Sequence, residues 1–310
     1  MSLKGRRERF RMDFEQELVR ADETTRAASF VIRPHSRRYQ EVTRDGEVYF
    51  LDKFLKTLIP KDEIEKSILE QFGDLPVHTL SPSVDSMPAY ANTRKEALLA
   101  ELEGSSYLAP KEPADPHKDL PPDQEPKWLT FLSVDICGST ALRKSNRAGF
   151  DKALPIFLRE MATLVGQFHG AILKITGDGF IAYIDHPSYT RQADNTIDLG
   201  LSFLVVLRDS INPALVRAGL PQLQIRVGAD CGEATVSEFN VPTTGYSSFE
   251  VASDALNQAV KIQEAAEAGE LLVGRSLYEL LHVGWLERST LAEARSHNLA
   301  DRDYEVYFVS

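Results

Sequence analysis

The sequence has only two cysteines, no long apolar run and no excess of basic residues. Neither Cys137 nor Cys231 belongs to a Cys-x-x-Cys pair, and no Cys/His cluster has zinc-ligand spacing. The longest apolar run, 199–207, is far too short to span a bilayer. A formal net charge of -11 disfavours a nucleic-acid backbone as the main partner, because phosphate binding needs basic surface. The basic N-terminal segment has no apolar core of the signal-peptide type. We therefore expect a cytoplasmic protein with no membrane span and no nucleic-acid partner.

The chain has 310 residues, of which 43% are hydrophobic and 26% charged, which is typical of a globular protein of one or two domains. Six prolines fall within 109–127, and such a segment is typical of a linker or an extended arm on the surface. We therefore expect an N-terminal extension of unknown role over 1–104, a proline-rich linker over 105–127 and a catalytic domain over 128–310. The extension shows no catalytic constellation, so it is either a packing or dimerisation element or a ligand-sensing module.

The C-terminal part alternates short apolar runs with amphipathic stretches, which predicts a sheet covered by helices. Two short apolar runs flank Gly177-Asp178-Gly179, and this pattern predicts a β-hairpin. The stretch 223–239 is expected to form two strands around Gly232.

Two aspartates interrupt apolar runs in this part of the chain. Asp135 ends the first predicted strand, and Asp178 occupies the tip of the hairpin. If the strands are neighbours, the two carboxylates meet at one edge, and like charges there favour a bound cation. A hard divalent ion fits, since magnesium takes one or two protein carboxylates together with substrate phosphates. Taken singly, however, an Asp before Gly-Ser-Thr is often only a helix cap, and Asp-Gly is often only a turn.

Four motifs in order resemble the catalytic domain of the class III nucleotidyl cyclases, over about residues 128–309. They are FLSVDICGST, LKITGDGFIAYI, QIRVGADCGEATV and FEVASDALNQAVKIQEAA. The resemblance implies an α+β fold of the ferredoxin-like class, with a mixed, mostly antiparallel sheet covered by helices and preceded by a smaller N-terminal α/β extension. It also implies an enzyme that cyclises a nucleoside triphosphate and releases pyrophosphate.

The resemblance further implies a role for individual residues. Asp135 and Asp178, with the carbonyl of Ile136, would ligate two divalent metal ions, Mg²⁺ or Mn²⁺. The turn Gly138, Ser139 and Thr140 would receive phosphate oxygens at the start of the next helix.

The helix in the fourth motif would carry the residues that act in the transition state. Asn257 falls where the family has a ribose-orienting asparagine. Lys261 falls where it usually has an arginine over the α-phosphate, and lysine lacks the planar fork of that arginine. Arg302 stands near a phosphate-contacting basic position of the family, whereas we expect Arg226 and Glu233 to be structural or interface residues.

The base-reading positions of the family are occupied by Lys174 and Glu250. Lys174 disfavours GTP, since guanylyl cyclases usually have Glu there. Glu250 is longer than the usual Asp or Thr, which favours a smaller pyrimidine ring and leaves ATP as the alternative. The layout is also similar to bacterial antiphage pyrimidine cyclases that make cyclic CMP or cyclic UMP. A competing interpretation pairs Glu250 with Lys174 as an interface ion pair that reads no base.

The family assembles its active sites between two chains, so the resemblance implies a homodimer with shared sites and a downstream effector that reads the cyclic nucleotide. Two other functions stay open. A pseudo-cyclase that binds a nucleotide without turnover is favoured only by Lys261. A two-metal polymerase-type domain shares the carboxylates but needs a basic nucleic-acid channel.

Overall fold

The computed structural model describes residues 9–22, 27–72, 81–122, 125–293 and 304–310. The chain divides into two compact units. The first contains residues 1–80 and 279–287, and the second contains 81–278 and 288–310.

The described residues of the first unit form two small antiparallel sheets and two helices, the second of which is short, Val283–Leu286. Its elements are β1 (Phe14–Asp22), β2 (Ala27–Pro34), β3 (Tyr39–Arg44), β4 (Glu47–Asp52), β5 (Leu58–Pro60) and α1 (Lys61–Phe72). Strands β1 and β2 form a hairpin, and β3, β4 and β5 form a meander. The fully buried Arg38 donates to Asp13 at 2.8 Å and to Asp52 at 2.9 Å. Burial alone would raise the pKa of Asp13, but the Arg11 and Arg38 guanidinium groups hold that pKa below its usual value.

The second unit is built around an eight-stranded sheet. Its strands are β6 (Lys127–Ile136), β7 (Gly170–Ile175), β8 (Phe180–Ile184), β9 (Ile225–Val241), β10 (Tyr246–Ala252), β11 (Leu271–Gly274), β12 (Ser289–Leu291) and β13 (Val306–Val309). The order across the sheet is β12-β13-β11-β9-β6-β8-β7, and β10 pairs with the outer half of β9. Only the β9–β11 pair is parallel among the pairings of the described residues. The expected mixed, mostly antiparallel sheet of an α+β fold is therefore confirmed.

Helices cover both faces of this sheet. They are α2 (Met87–Leu102), α3 (Ser139–Ser145), α4 (Arg147–Gln167), α5 (Tyr189–Val206), α6 (Asn212–Arg217), α7 (Asp254–Ala265) and α8 (Arg275–Tyr278), and a π-helical turn, Leu207–Ile211, joins α5 to α6. The side chains of β6 alternate between the faces. Thr130 meets Thr196 of α5 at 2.7 Å on one face, and Ser133 donates to Gln263 of α7 at 3.3 Å on the other. Helix α7 therefore marks one face of the sheet and α5 the opposite face.

The expected break at Gly232 is wrong, because β9 continues through it as a single strand to Val241. The turn comes later, at 242–245, and β10 returns from it. A Cβ at position 232 would lie 3.0 Å from the Cβ of Ala255 in α7, and one at Gly228 would lie 2.2 Å from the Gln263 nitrogen. Both glycines therefore let α7 pack closely on β9 and do not mark a turn.

The two compact units do not coincide with the segments expected from the sequence, 1–104, 105–127 and 128–310. Helix α2 and the proline-rich residues 105–122 lie within the second unit. Arg94 of α2 is buried and forms an ion pair with Glu160 of α4 at 2.8 Å, which explains why α2 groups with the sheet.

One helical stretch among the described residues, Tyr189–Arg217, is long and apolar enough to cross a membrane by length and composition alone. Of its most apolar window, 56% is buried inside the fold. Its apolar side chains include Ile197, Leu199 and Phe203, which are fully buried. Such burial is typical of a core helix packed on a sheet.

Candidate active site

Asp135 lies near the C-terminal end of β6, on the face of the sheet that α7 covers. It stands directly opposite Arg226 of β9. The Arg226 guanidinium donates to Asp135 Oδ2 from Nη2 at 3.0 Å and from Nε at 3.3 Å. Its Nη1 donates to the carbonyl of Glu264 at 2.9 Å, near the end of α7. Both side chains of the ion pair remain partly exposed, at 29% and 25%. This carboxylate is therefore held in place and still accessible to a ligand.

Asp178 lies in the turn between β7 and β8, and this turn packs on the strand that carries Asp135. Gly177 has a left-handed φ of 95°, and the Thr176 amide donates to the Gly179 carbonyl at 2.9 Å. A Cβ at Gly179 would lie 2.2 Å from the Val134 carbonyl oxygen and 3.1 Å from Asp135 Cα. Only glycine permits this approach. Strands β6 and β8 are neighbours, as the metal-site prediction required, and Asp135 and Asp178 share one edge of the sheet. We call this pair the carboxylate edge.

The turn that follows β6 lies beside the carboxylate edge. Gly138 adopts a left-handed φ of 65° at the start of α3. Ser139 and Thr140, the first residues of α3, line a cavity of about 340 Å³ together with Asp178. Cys137 and Gly138 also line a larger cavity, of about 1030 Å³, on another face of α3. The smaller cavity is the one that joins the predicted phosphate-binding turn to an aspartate.

The oxygen donors at the carboxylate edge fit a hard divalent cation. Among the described residues, no group of three or more His, Cys, Asp or Glu side chains could hold a metal ion. The predicted ligands are two carboxylates, Asp135 and Asp178, and the Ile136 carbonyl. This set suits magnesium or manganese, which share such sites with phosphate oxygens and water, and it does not suit a structural zinc ion. Within the described chain, Arg226 engages Asp135 only through Oδ2, which leaves Oδ1 for a cation.

Lys174 and Glu250 lie on two other strands of the sheet, β7 and β10. Lys174 follows a bulge in β7 and stands opposite Ile181, so its side chain is on the α7 face of the sheet and exposed. Glu250 is an exposed residue of β10 and accepts a hydrogen bond from Ser248 Oγ at 2.9 Å. No ion pair joins Lys174 to Glu250 within the described part of one chain.

Asn257 and Lys261 lie one turn apart on α7. Ser253 caps this helix, since its Oγ accepts from the Leu256 amide at 3.4 Å, and it donates to the Glu233 carbonyl at 2.7 Å. Asn257 is exposed and Lys261 is partly exposed. We call Lys174, Glu250, Asn257 and Lys261 the recognition face.

The two halves of the candidate site are separated along α7. Arg226 contacts the carbonyl of Glu264, so the C-terminal end of α7 lies beside Asp135. Asn257 precedes Glu264 by seven residues, and a rise of 1.5 Å per residue puts it about 10 Å back along the helix axis. One chain therefore brings Asp135 and Asp178 together but does not bring Asn257 to them.

The comparison with known protein families gives one match over most of the second unit. The family described as "Adenylate and Guanylate cyclase catalytic domain" matches residues 123–309. The chain belongs to this family. The resemblance found in the four motifs is therefore confirmed, and cyclases of this class use divalent metal ions, in agreement with the donor set at the carboxylate edge.

One relative of this cyclase domain is named for the nucleotide that it uses. The "Cytidylate cyclase" of Escherichia coli is 22% identical over 180 residues, covering 53% of this chain and 37% of that protein. The chain thus matches little more than a third of that relative's length.

Two solved structures share the fold of this cyclase domain. They are the adenylyl cyclase CyaB from P. aeruginosa (22% identity, TM-score 0.51, covering 60% of this chain and 95% of that one) and the guanylyl cyclase Cya2 (20%, 0.51, 60% and 92%). Since both identities are below 25%, they support the fold and not a substrate.

Arg226 of this cyclase domain contacts a predicted metal ligand, a contact that the sequence does not indicate. It was expected to be structural or an interface residue, yet its guanidinium lies on Asp135. The available signal was a basic residue on a strand close to the aspartate strand, but the register that brings the two together is not visible in the sequence. Glu233 has a main-chain contact to the α7 cap, and Arg302 lies outside the described residues.

Proposed function

We propose that this chain is a nucleotidyl cyclase that converts a nucleoside triphosphate into a 3′,5′-cyclic nucleotide and pyrophosphate. The observation that carries the proposal is the carboxylate edge. Gly179 packs the Asp178 turn against the strand of Asp135 inside a domain of the cyclase family. A divalent ion held there supplies Lewis-acid stabilisation of the phosphates and lowers the pKa of the ribose 3′-hydroxyl.

The residues of the chain have separate tasks in this proposal. Asp135, Asp178 and the Ile136 carbonyl would hold two divalent ions, Mg²⁺ or Mn²⁺. Arg226 fixes the rotamer of Asp135 and presents a cation at the same edge, where it neutralises triphosphate charge.

The turn after β6 and the helix α7 complete the substrate contacts. Gly138, Ser139 and Thr140 receive phosphate oxygens beside the Asp178 cavity. Asn257 orients the ribose, and Lys261 stabilises charge on the α-phosphate as a point cation.

The working unit in this proposal is a homodimer with two shared sites. The support is the position of Asn257, about 10 Å along the axis of α7 from the end of the helix that lies beside Asp135. A head-to-tail pair lets the recognition face of one copy meet the carboxylate edge of the other. Exposed aromatic residues on the β9–β10 hairpin, Phe239, Tyr246 and Phe249, offer apolar surface for such a contact.

The substrate preference we propose is a pyrimidine nucleotide, UTP or CTP, with ATP as the second candidate. Lys174 donates to a ring carbonyl, and Glu250 accepts from cytosine N4–H or uracil N3–H. The name of the E. coli relative, cytidylate cyclase, also favours a pyrimidine. In that case the product is a second messenger of antiphage defence in the cytoplasm, read by a separate effector protein.

The test is product identification with four substrates. Purified protein is incubated separately with ATP, GTP, CTP and UTP in Mn²⁺, and products are identified by mass spectrometry. We expect cyclic CMP or cyclic UMP, and no product from the matched Asp178→Asn protein. Cyclic AMP alone would move the assignment to adenylate cyclase. Nucleotide binding without any cyclic product from the four would overturn the enzyme proposal in favour of a pseudo-cyclase, the function that Lys261 favours.

A further inference from the structure

The proline-rich residues 105–122, here called the arm, lie on the second unit with specific hydrogen bonds. The Asp115 amide donates to the Gly166 carbonyl at 3.0 Å, and the Gln167 side chain donates to the Glu112 carbonyl at 3.0 Å. A Cβ at Gly166 would lie 2.9 Å from the Asp115 carbonyl oxygen. The C-terminal end of α4 is thus shaped to receive the arm. Of the two forms that the sequence allowed, a linker or an extended arm on the surface, residues 105–122 adopt the second.

The arm then crosses the β7–β8 edge of the sheet toward the face of α7. The Tyr183 hydroxyl donates to the Lys118 carbonyl at 2.7 Å. Leu120 is 5% exposed, and within 105–122, all of which the structure describes, it is the one buried residue. It belongs to an apolar cluster with Ala171 of β7, Tyr183 of β8 and α7 residues that include Ala259.

Residues that adjoin the recognition residues in the chain pack against this cluster. Three partly buried residues pack against it: Leu173, Val251 and Leu256. Each is the chain neighbour of a recognition residue, since Leu173 precedes Lys174, Val251 follows Glu250 and Leu256 precedes Asn257. Lys174, Glu250 and Asn257 lie on different elements, β7, β10 and α7, so their relative positions depend on how this cluster is packed.

We propose that Leu120 is a positioning residue for base recognition: the arm packs it into the cluster and so sets the spacing of Lys174, Glu250 and Asn257. This inference rests on the proposed function. It differs from a general role in stability because the carboxylate edge is fixed by other contacts, the Gly179 packing and the Arg226 ion pair. Loosening Leu120 should therefore change nucleotide KM and base selectivity and leave the metal requirement unchanged.

The test compares two leucines of the same arm. Leu120→Ala empties a buried position, whereas Leu108→Ala alters a leucine that is 64% exposed and is the matched control. Leu120→Met is the conservative rescue. Tyr183→Phe removes only the hydroxyl that contacts Lys118, so it tests the arm with the cluster intact. We measure kcat and KM for each nucleotide, the Mn²⁺ concentration for half-maximal rate, and amide hydrogen exchange of β7, β10 and α7.

For Leu120→Ala we expect the nucleotide KM to rise about fivefold to tenfold. The ratio of kcat/KM between the best and the second nucleotide should fall at least threefold. The Mn²⁺ concentration that gives a half-maximal rate should stay within twofold of the wild-type value. Exchange should rise in β10 and the first turns of α7 but not in α5. Tyr183→Phe should shift the same quantities by a smaller factor, Leu120→Met should restore them, and Leu108→Ala should match the wild type.

A loss of kcat with KM and selectivity unchanged would overturn the proposal, as would exchange rising equally in α5 and α7. If Leu120→Ala does not fold, unchanged KM, selectivity and exchange in Tyr183→Phe overturn it. A wild-type protein that makes no cyclic product defeats the proposed function, and the exchange comparison still decides whether the arm holds the recognition face together.

Discussion

The carboxylate edge and the recognition face are built in different ways. At the carboxylate edge, backbone packing at Gly179 and the Arg226 ion pair fix the groups within one chain. At the recognition face, exposed or partly exposed side chains on β7, β10 and α7 have chain neighbours in a common apolar cluster. Within the described chain, Asn257 and Lys261 have no side-chain hydrogen bond. The difference agrees with the proposed homodimer, in which a partner chain would complete the recognition face.

The largest expected effect comes from variants that inactivate the two halves of the site in different chains. Asp178→Ala and Asn257→Ala should each lower kcat by about 10²–10³-fold, because each removes a group that stabilises transition-state charge or orientation. Mixed in equal amounts with subunit exchange, they should regain about a quarter of wild-type activity. Half of the dimers are then mixed, and each mixed dimer has one intact site. The measurement is the rate of cyclic nucleotide formation against mixing ratio.

The matched control for this mixture is a pair from the same half. Asp135→Ala with Asp178→Ala should show no recovery, since every site in the mixed dimer lacks one metal aspartate. Recovery in this control, or no recovery in the first mixture when exchange is shown by mass spectrometry, would contradict the division of the site between chains.

A smaller effect is expected when the carboxylate edge loses its internal support. Arg226→Gln should lower kcat/KM by about 10–100-fold and raise the Mn²⁺ needed for half-maximal rate, since groups that orient metal ligands typically have effects of this size. Arg226→Lys keeps the charge but not the two-pronged contact with Asp135, so it should recover only part of the loss. A Gln variant with normal Mn²⁺ dependence would show that Asp135 is held without Arg226.

The same contrast explains what the sequence could predict. Asp135 and Asp178 were found because a charge in a buried strand and a Gly-Asp-Gly turn are local patterns that need an explanation. The role of Arg226 depends on strand register, and the use of Gly232 depends on the approach of α7; neither is encoded locally. Alternating periodicity predicted a sheet covered by helices, and the resemblance of the four motifs implied the α+β class. The grouping of α2 with the sheet depends instead on the Arg94–Glu160 ion pair, 66 residues apart in sequence.

A change of base preference is the next expected effect, and it sharpens the assignment of the recognition face. Glu250→Asp shortens the side chain, so it should shift the ratio of kcat/KM for ATP over the pyrimidine substrate by about tenfold toward ATP. The Mn²⁺ dependence should not change, because Glu250 makes no contact with the carboxylate edge in one chain. Substrate competition assays with all four nucleotides give the ratio. Equal losses for every nucleotide would mean that Glu250 does not read the base.

The smallest effect on activity is expected at a second carboxylate pair, Asp194 and Asp198 of α5, on the opposite face of the sheet. Burial, and then the charge of Asp194, raise the pKa of Asp198 to about 6. Its pKa in the unfolded chain is 3.8, so between these values the folded state holds a proton that the unfolded state has lost. Wild-type stability should therefore fall as the pH rises from about 4 to 6.

Asp198→Asn should remove that slope, because the side chain no longer titrates. The variant should match the wild type near pH 4 and exceed its free energy of unfolding by ~1–3 kcal/mol above pH 6. Cyclase activity should stay within about twofold, since this pair carries no part of the site. Urea unfolding at several pH values, with rates measured on the same samples, makes the comparison. A loss of activity as large as that of Asp178→Ala would show that carboxylates far from the carboxylate edge also serve the reaction. Parallel curves of unfolding free energy against pH for the wild type and Asp198→Asn would show that Asp198 does not titrate as its burial requires.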